Sequence, residues 1–169
     1  MRDKMYKEKT ANYPRSKTDM LFADYDNNYN FSGCLDDAIK FIEKIQLLDS
    51  TLWARFVEQY RMPDADYDNG WRGEYWGKMM RGACLTYSYT KNPELYRILS
   101  DSVKELLDCQ EADGRMSTYA KHHEFQGWDM WCRKYVLLGM QYFLEICQDK
   151  VLAKRVIDSM CAQVDFNSF

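Results

Sequence analysis

An internal repeat constrains the fold more than any other feature of this sequence. The segment WGKMMRGACLTYSYT, from Trp76, can be laid on WCRKYVLLGMQYFL, from Trp131, so the period is 131 − 76 = 55 residues. Further matching pairs are Lys78 with Arg133, Tyr87 with Tyr142 and, after a shift of two residues, Leu95 with Leu152. One such period is a long helical hairpin, and hairpins must stack because none buries its apolar face alone. The repeat therefore predicts stacked hairpins, in an open superhelix or a closed α/α toroid.

Apolar residues recur at helical spacing over most of the chain after residue 33. The first helix is predicted from Leu35 to Ile45, and the second begins at an N-cap Ser50 and ends before Pro63. Four further helices are predicted at about residues 75–89, 93–107, 128–147 and 151–164. No segment reads as a convincing strand. The predicted fold class is all-α, with residues 1–33 as a polar arm or loop and residues 34–169 as the helical domain.

The two kinds of helix in each hairpin favour the toroid. The first helix, as in MMRGACLTY and YVLLGMQYFL, is apolar nearly all round, which is typical of an inner helix. The second helix is amphipathic and has a charged face, which is typical of an outer helix. A closed toroid of six hairpins would need roughly 6 × 55 = 330 residues, whereas this chain has about three hairpins. We therefore expect a partial (α/α)6-type toroid, either incomplete or closed by a partner.

Composition and charge exclude several classes of partner. The net charge is −3, and no run of lysine and arginine forms the basic patch of a nucleic-acid surface. No apolar run approaches the roughly 20 residues that span a bilayer, so no membrane partner is expected. The basic N-terminus is not an intact signal peptide, because no apolar region follows it; a removed signal stays open. The six cysteines include no CxxC pair, and buried reduced thiols favour a cytoplasmic location.

The stretch HHEFQGWDMWCRKY, residues 122–135, contains both histidines of the chain. Adjacent residues on a helix or a strand face different directions, so His122 and His123 are expected to be exposed loop residues and not metal ligands. Glu124 and Asp129 could approach each other as the paired carboxylates of a glycosidase. The simpler interpretation places Asp129 in the first turn of its helix, near free N–H groups. No metal site is predicted in this chain.

Aromatic residues make up 15% of the chain, and flat rings offer area on which a sugar can stack. The alternative is that they fill the core or, as expected for Trp76 and Trp131, wedge neighbouring hairpins apart. Arg133 and Lys134 begin an apolar helix, where the helix dipole disfavours cations. A partner such as Glu74, Asp129 or a ligand carboxylate would explain them. A cationic inner rim would suit an acidic or uronic sugar.

From Thr51 onward the sequence resembles glycoside hydrolase family 127, the β-L-arabinofuranosidases. TLWARFVEQYRM is similar to an early helix of the family, which precedes a loop and then a helix with a Lys-aromatic-aliphatic-Glu core. Lys78-Met79-Met80-Arg81 stands at that core. QEADGRMSTY, residues 110–119, resembles the Gln-x-x-Asp-Gly-x-x-x-Thr-Tyr turn and is the most specific match. WDMWCRKYVLLG, residues 128–139, falls where the family has His-Glu-x-Tyr-Cys-x-Gly-His-x-x-Glu-Ala.

The departures from the family pattern lie among the residues that line its sugar site. The two family histidines of the last motif are Trp128 and Tyr135 here, and its glutamates are Asp129 and Leu138. The glutamate of the earlier helix is Arg81. A changed lining indicates a divergent subfamily with another substrate, or none. Family members place the acid/base glutamate and a zinc-held cysteine nucleophile in the second half of the barrel, so the resemblance implies that the catalytic groups lie downstream of this chain.

The resemblance leads to a specific expectation. Residues 34–169 are the N-terminal part of a carbohydrate-active barrel; they supply substrate-binding wall and need the remainder of the barrel or a second subunit. No catalytic residue and no cofactor is expected in this chain, although zinc is possible in a full-length member. The alternatives are a non-enzymatic helical-hairpin binding module, or an aspartate-dependent α/α-barrel hydrolase such as an unsaturated glucuronyl hydrolase, in which Asp129 would be essential. The predicted substrate-binding residues are Trp71, Thr118, Tyr119, Trp128, Asp129, Arg133 and Tyr135.

Overall fold

The computed structural model describes residues 30–63 and 70–167, without the side chains of Gly70 and Trp71. Its six α-helices are α1 Cys34–Ile42, α2 Ser50–Arg61, α3 Glu74–Thr90, α4 Pro93–Leu107, α5 Asp129–Ile146 and α6 Lys150–Phe166. A π-helical segment, Glu43–Leu47, continues α1, and two short 3-10 helices lie at Gly70–Gly73 and Lys121–His123. No β-strand occurs in these two ranges, which confirms the all-α class. Of the predicted arm, residues 1–29 lie outside the described residues.

The helices form three hairpins, α1–α2, α3–α4 and α5–α6, and the last two reproduce the sequence repeat. Helix α5 begins 129 − 74 = 55 residues after α3, and α6 begins 150 − 93 = 57 residues after α4, which is the two-residue shift of the alignment. Helix α3 packs along α5, while α4 packs against both α2 and α6. Helices α3 and α5 thus form one layer, and α2, α4 and α6 form another, as stacked hairpins should. None of the helices in the described ranges is long and apolar enough to cross a membrane.

Helix α4 lies at the centre of the core. The apolar stripe predicted from its sequence is buried along its whole length, from Leu95 through Leu99 and Val103 to Leu106. Leu152, the repeat partner of Leu95, is buried on α6. Each such side chain contributes about 1.5–3 kcal/mol when it leaves water. Burial of this stripe between its neighbours is what holds the outer layer together.

Two glycines allow α3 and α5 to approach each other closely. A Cβ at Gly77 would collide with the backbone carbonyl of Tyr135, and a Cβ at Gly139 would lie 2.9 Å from the Cα of Gly77. Trp76 is fully buried beside Gly139, and its Nε1 donates to Oγ of Ser102 at 3.0 Å. Trp76 therefore contacts both Gly139 of the next hairpin and Ser102 on α4. The close approach fixes how the inner helices of two successive hairpins are aligned.

The N-cap of α2 is Asp49, so the prediction of Ser50 was wrong by one residue. Asp49 keeps an extended backbone, and its carboxylate accepts hydrogen bonds from the N–H groups of Thr51 and Leu52 at 2.9 and 3.3 Å. Ser50 is already inside the helix. The carboxylate reaches the free N–H groups of the first turn from the preceding position, which is the requirement for an N-cap.

Replacing Asp49 with alanine is expected to lower the melting temperature by about 2–4 °C, the usual effect of a lost cap in a domain of this size. The hydrogen bond from the Thr51 side chain lowers the pKa of Asp49 in the folded chain. The stabilisation by the Asp49 carboxylate is therefore fully present above the pKa of about 3.9 in the unfolded chain. It is lost as the pH falls through the lower pKa of the folded chain. Thermal melts at several pH values should show the difference from wild type shrinking below about pH 4. Ser50→Ala is the control, and an equal loss in that variant would contradict Asp49 as the cap.

Candidate functional site

The loop between α4 and α5 is tied to the start of α5 by a buried ionic network. The network consists of Glu111, Arg115, Glu124, Asp129 and Arg133. Arg115 lies 2.7 Å from Oε1 of Glu124 and 2.9 Å from Oε1 of Glu111, and Arg133 pairs with Glu124 and, at 3.0 Å, with Oδ2 of Asp129. Both guanidinium groups are almost completely shielded from solvent. Because each buried cation contacts two carboxylates, the network keeps these charges compensated away from water.

Arg133 has protein partners around its whole guanidinium group. Its Nε donates to Asp129 at 3.1 Å and its Nη1 donates to Oδ1 of Asn167 at 2.8 Å. The rings of Phe125 and Phe166 lie 5.0 and 5.2 Å from its Cζ. The side chain is only 2% exposed. Its ion pairs with Asp129, one of the partners expected from the sequence, and with Glu124 explain why an arginine occurs in this otherwise apolar helix.

Asp129 is fully buried in the first turn of α5. Its Oδ1 accepts a hydrogen bond from Oγ of Ser117 at 2.6 Å, and its Oδ2 accepts one from the backbone N–H of Phe125 at 2.9 Å. Phe125 has a positive φ of 59°, an uncommon conformation for a residue with a side chain. Asp129 lies in the first turn of its helix, as predicted. Its carboxylate, however, accepts hydrogen bonds from residues of the preceding loop and does not cap its own helix. Arg133 bridges Asp129 and Glu124, so the two acids do not form an open carboxylate pair.

The turn of residues 110–119 supports the same helix start. Tyr119 and Thr118 are both buried, and the hydroxyl of Tyr119 accepts a hydrogen bond from the N–H of Trp128 at 3.3 Å. Thr118 packs so closely on Gly73 that a Cβ at that glycine would collide with its side chain. The turn thus connects the beginnings of α3 and α5. The backbone of Trp71 lies in the 3-10 helix just before α3, and its side chain is outside the description.

Aromatic side chains form a surface at the start of α5, which we call the aromatic face: Trp128, Trp131 and Tyr135. Trp128 is 59% exposed and Trp131 is 40% exposed. Their ring centroids are 6.1 Å apart, and those of Trp131 and Tyr135 are 5.2 Å apart, both in edge-to-face arrangements. Nε1 of Trp131 donates a hydrogen bond to Glu74 on α3. The rings are therefore held in place by protein contacts while part of their surface stays open to solvent.

The described residues do not test the prediction that Trp131 wedges neighbouring hairpins. Trp76 is buried because Gly139 leaves room for its ring, whereas within the described residues no later hairpin stacks on α5 and covers Trp131. The wedge role was assigned from repeat equivalence alone. The signal that could have identified an open surface was the spacing of Trp131, Tyr135 and Tyr142, which places three rings along one side of α5.

Two lysines complete the surroundings of the aromatic face. Nζ of Lys134 lies 3.4 Å from the ring centroid of Trp131 and 4.2 Å from that of Tyr135. Nζ of Lys78 lies 4.8 Å from the Tyr135 centroid and 2.8 Å from Oε1 of Glu74. Of the predicted binding residues, Trp128 and Tyr135 thus lie at this surface. Thr118, Tyr119, Asp129 and Arg133 lie behind it, and their part in sugar binding stays a prediction.

The cysteines and histidines offer no metal site in residues 30–63 and 70–167, since no three His, Cys, Asp or Glu side chains there are grouped to hold an ion. His122 is exposed, and its ring centroid lies 4.2 Å from that of His123. Burial raises the pKa of Cys84 well above its usual value and that of Cys132 to about 12. These buried thiols stay protonated at neutral pH.

Thiol labelling should follow this burial. In native protein at neutral pH, a disulfide reagent is expected to modify the exposed Cys34 rapidly and to leave Cys84 and Cys132 unmodified until urea unfolds the chain, because access and thiolate fraction both limit the reaction. Stopped-flow absorbance measures the rate of labelling, and mass spectrometry of the peptides identifies which cysteine is labelled. Cys34→Ser should remove the fast phase at that peptide. Rapid native labelling of Cys132 would contradict the burial.

The comparisons with known proteins agree with the resemblance noted in the sequence. The chain matches the family model described as beta-L-arabinofuranosidase, GH127 catalytic domain, over residues 20–152. That range includes α1 to α5, the ionic network and the aromatic face. No curated protein and no solved structure gives a significant match. The matched range is well over half of the chain, and the chain therefore belongs to the GH127 β-L-arabinofuranosidase catalytic-domain family.

Proposed function

We propose that this chain supplies the carbohydrate-binding wall of a glycoside hydrolase barrel that removes a terminal furanosyl or similar sugar. The aromatic face carries the proposal. Trp128 and Trp131 present open ring surface at the start of an inner-layer helix, and the C–H faces of a sugar pack well on such rings. Glu74 and Lys78 lie beside the rings and can bond to sugar hydroxyls.

The ionic network has a supporting part in this proposal. Asp129 and Arg133 are buried, so they act on the sugar only through the residues that they position. Asp129 holds the N–H of Phe125, three residues before Trp128, and Tyr119 accepts a hydrogen bond from the N–H of Trp128. A site of this kind needs its contact residues fixed by a second layer of hydrogen bonds. The burial of Asp129 gives no support to the alternative of an aspartate-dependent hydrolase.

Closure of the barrel by further hairpins or a second subunit is also part of the proposal. Helix α1 has no buried residue, and it exposes Leu35, Phe41 and Ile42; Ile45 is exposed on the π-helical segment that continues it. A row of exposed apolar side chains on a helix is typical of a surface that another element covers. We propose that catalytic groups come from that additional part, so the 169-residue chain alone should not hydrolyse a nitrophenyl arabinofuranoside.

Trp128→Ala and Trp131→Ala are each expected to weaken binding of an arabino-oligosaccharide by about three- to tenfold, because each removes one stacking surface. Isothermal titration calorimetry on the full chain measures this. Phe41→Ala is the control, since Phe41 is an exposed aromatic ring on α1, outside the aromatic face. Unchanged affinity in both tryptophan variants, or an equal loss in Phe41→Ala, would refute the assignment. Turnover of the nitrophenyl substrate by the chain alone would refute the placement of the catalytic groups.

A further inference from the structure

Three cationic side chains lie over aromatic rings along the seam between α3 and α5. Lys134 covers Trp131 and Tyr135, and Lys78 also approaches Tyr135. One turn further along α3, Cζ of Arg81 lies 5.5 Å from the ring centroid of Tyr142. Lys78 and Arg81 are three residues apart and so share a face of their helix. The seam is therefore a stripe of rings with positive charge on it.

The positive charge of this seam is only partly balanced. Apart from the buried Asp129, the carboxylates on α3 and α5 are Glu74 and Glu145. Glu74 pairs with Lys78. Partial burial raises the pKa of Glu145. Among the described residues, no carboxylate lies within ion-pair distance of Lys134 or Arg81, and both side chains are exposed.

We infer that the seam between α3 and α5 binds an anionic saccharide of the uronic-acid class. The sugar ring lies against the part of the Trp131 ring that Lys134 leaves open, and its carboxylate pairs with Lys134 or Arg81. This inference rests on the proposed function and names the substrate class of the same site. A cation over a ring is attracted to it without having its charge neutralised, so it can still pair with a carboxylate. The net charge of −3 makes the local positive seam a distinct feature of the surface.

The inference can be tested by comparing the binding of trigalacturonate with that of its fully methyl-esterified form, because the two trisaccharides have the same sugar rings and differ in charge. Calorimetric titration of the full chain at low ionic strength should give binding of the acid at least about fivefold tighter than binding of the ester. The difference should largely disappear near 1 M salt, where screening acts within about 3 Å. Lys134→Gln and Arg81→Gln should each reduce the preference by roughly two- to fivefold, as expected for a partly exposed ion pair.

Lys154→Gln is the control, because Lys154 is an exposed lysine on α6 outside the seam. It should leave the preference for the acid unchanged. If the ester and an arabinotriose bind as tightly as the acid, the inference on charge is overturned while the proposed sugar-binding wall stands. If no saccharide binds, the proposed function and the inference both fail. A preference for the acid that persists in the Lys134→Gln, Arg81→Gln double variant would place the anion elsewhere and overturn the inference.

Discussion

Gly77→Ala is expected to cost about 3 kcal/mol or more of folding stability, at the upper end of what overpacking costs. The added methyl group would collide with the carbonyl of Tyr135 and lie 3.0 Å from the Cβ of the same residue. A backbone group inside a helix cannot move aside as the end of a side chain can. Helices α3 and α5 would therefore have to separate, and the contact between the inner helices of two hairpins would be lost.

Gly82→Ala is a closely matched control. Gly82 lies on the same helix, five residues further along, and a Cβ there meets no atom within 4 Å. Alanine should raise stability at this position by about 0.5–1 kcal/mol, because glycine in a helix interior loses more conformational freedom on folding. Urea denaturation followed by circular dichroism gives both values. If Gly77→Ala yields no folded protein while Gly82→Ala does, the expectation is met; similar changes in the two variants would contradict it.

Gly77 and Gly82 also show which structural features can be predicted from the sequence and which cannot. Helix positions follow from the spacing of apolar residues, and hairpin stacking follows from the repeat, because both are periodic. Gly77 and Gly82 look alike in the sequence, since a glycine in a helical pattern is only a weak point. What distinguishes them is the residue that lies opposite, and that depends on how α3 and α5 cross.

In the candidate site, too, some residues could be predicted from the sequence and others could not. Trp128 and Tyr135 could be predicted as surface residues because they occupy positions where a related sugar site has polar side chains. The burial of Arg133 could not be predicted, since an arginine is normally exposed and the i, i+4 spacing from Asp129 is also typical of a solvated pair. The partners that bury it, Glu124 and Asn167, come from separate elements.

Arg133→Met is expected to cost about 3–5 kcal/mol, because it leaves the fully buried carboxylate of Asp129 without its cation and removes one of the two cations that pair with Glu124. Methionine keeps much of the apolar contact with the phenylalanine rings on either side, so the loss reports mainly the missing charge and hydrogen bonds. Arg133→Lys should recover only part of it, since an ammonium cannot reach Asp129, Glu124 and Asn167 together. Urea denaturation at neutral pH measures the series.

Arg155→Met provides the matched control for the same substitution. Arg155 pairs with Asp108 at 2.9 Å, but both side chains are largely exposed, so its loss should cost less than about 1 kcal/mol. A comparable cost at the two arginines would contradict the view that burial gives the network its importance. The Arg133→Met variant also tests the supporting part of the network in the proposed site. If the tryptophan fluorescence of the folded variant differs from that of the wild type, the network positions the exposed tryptophans. Unaltered fluorescence in a destabilised variant would limit Arg133 to stability and remove its supporting part in sugar binding.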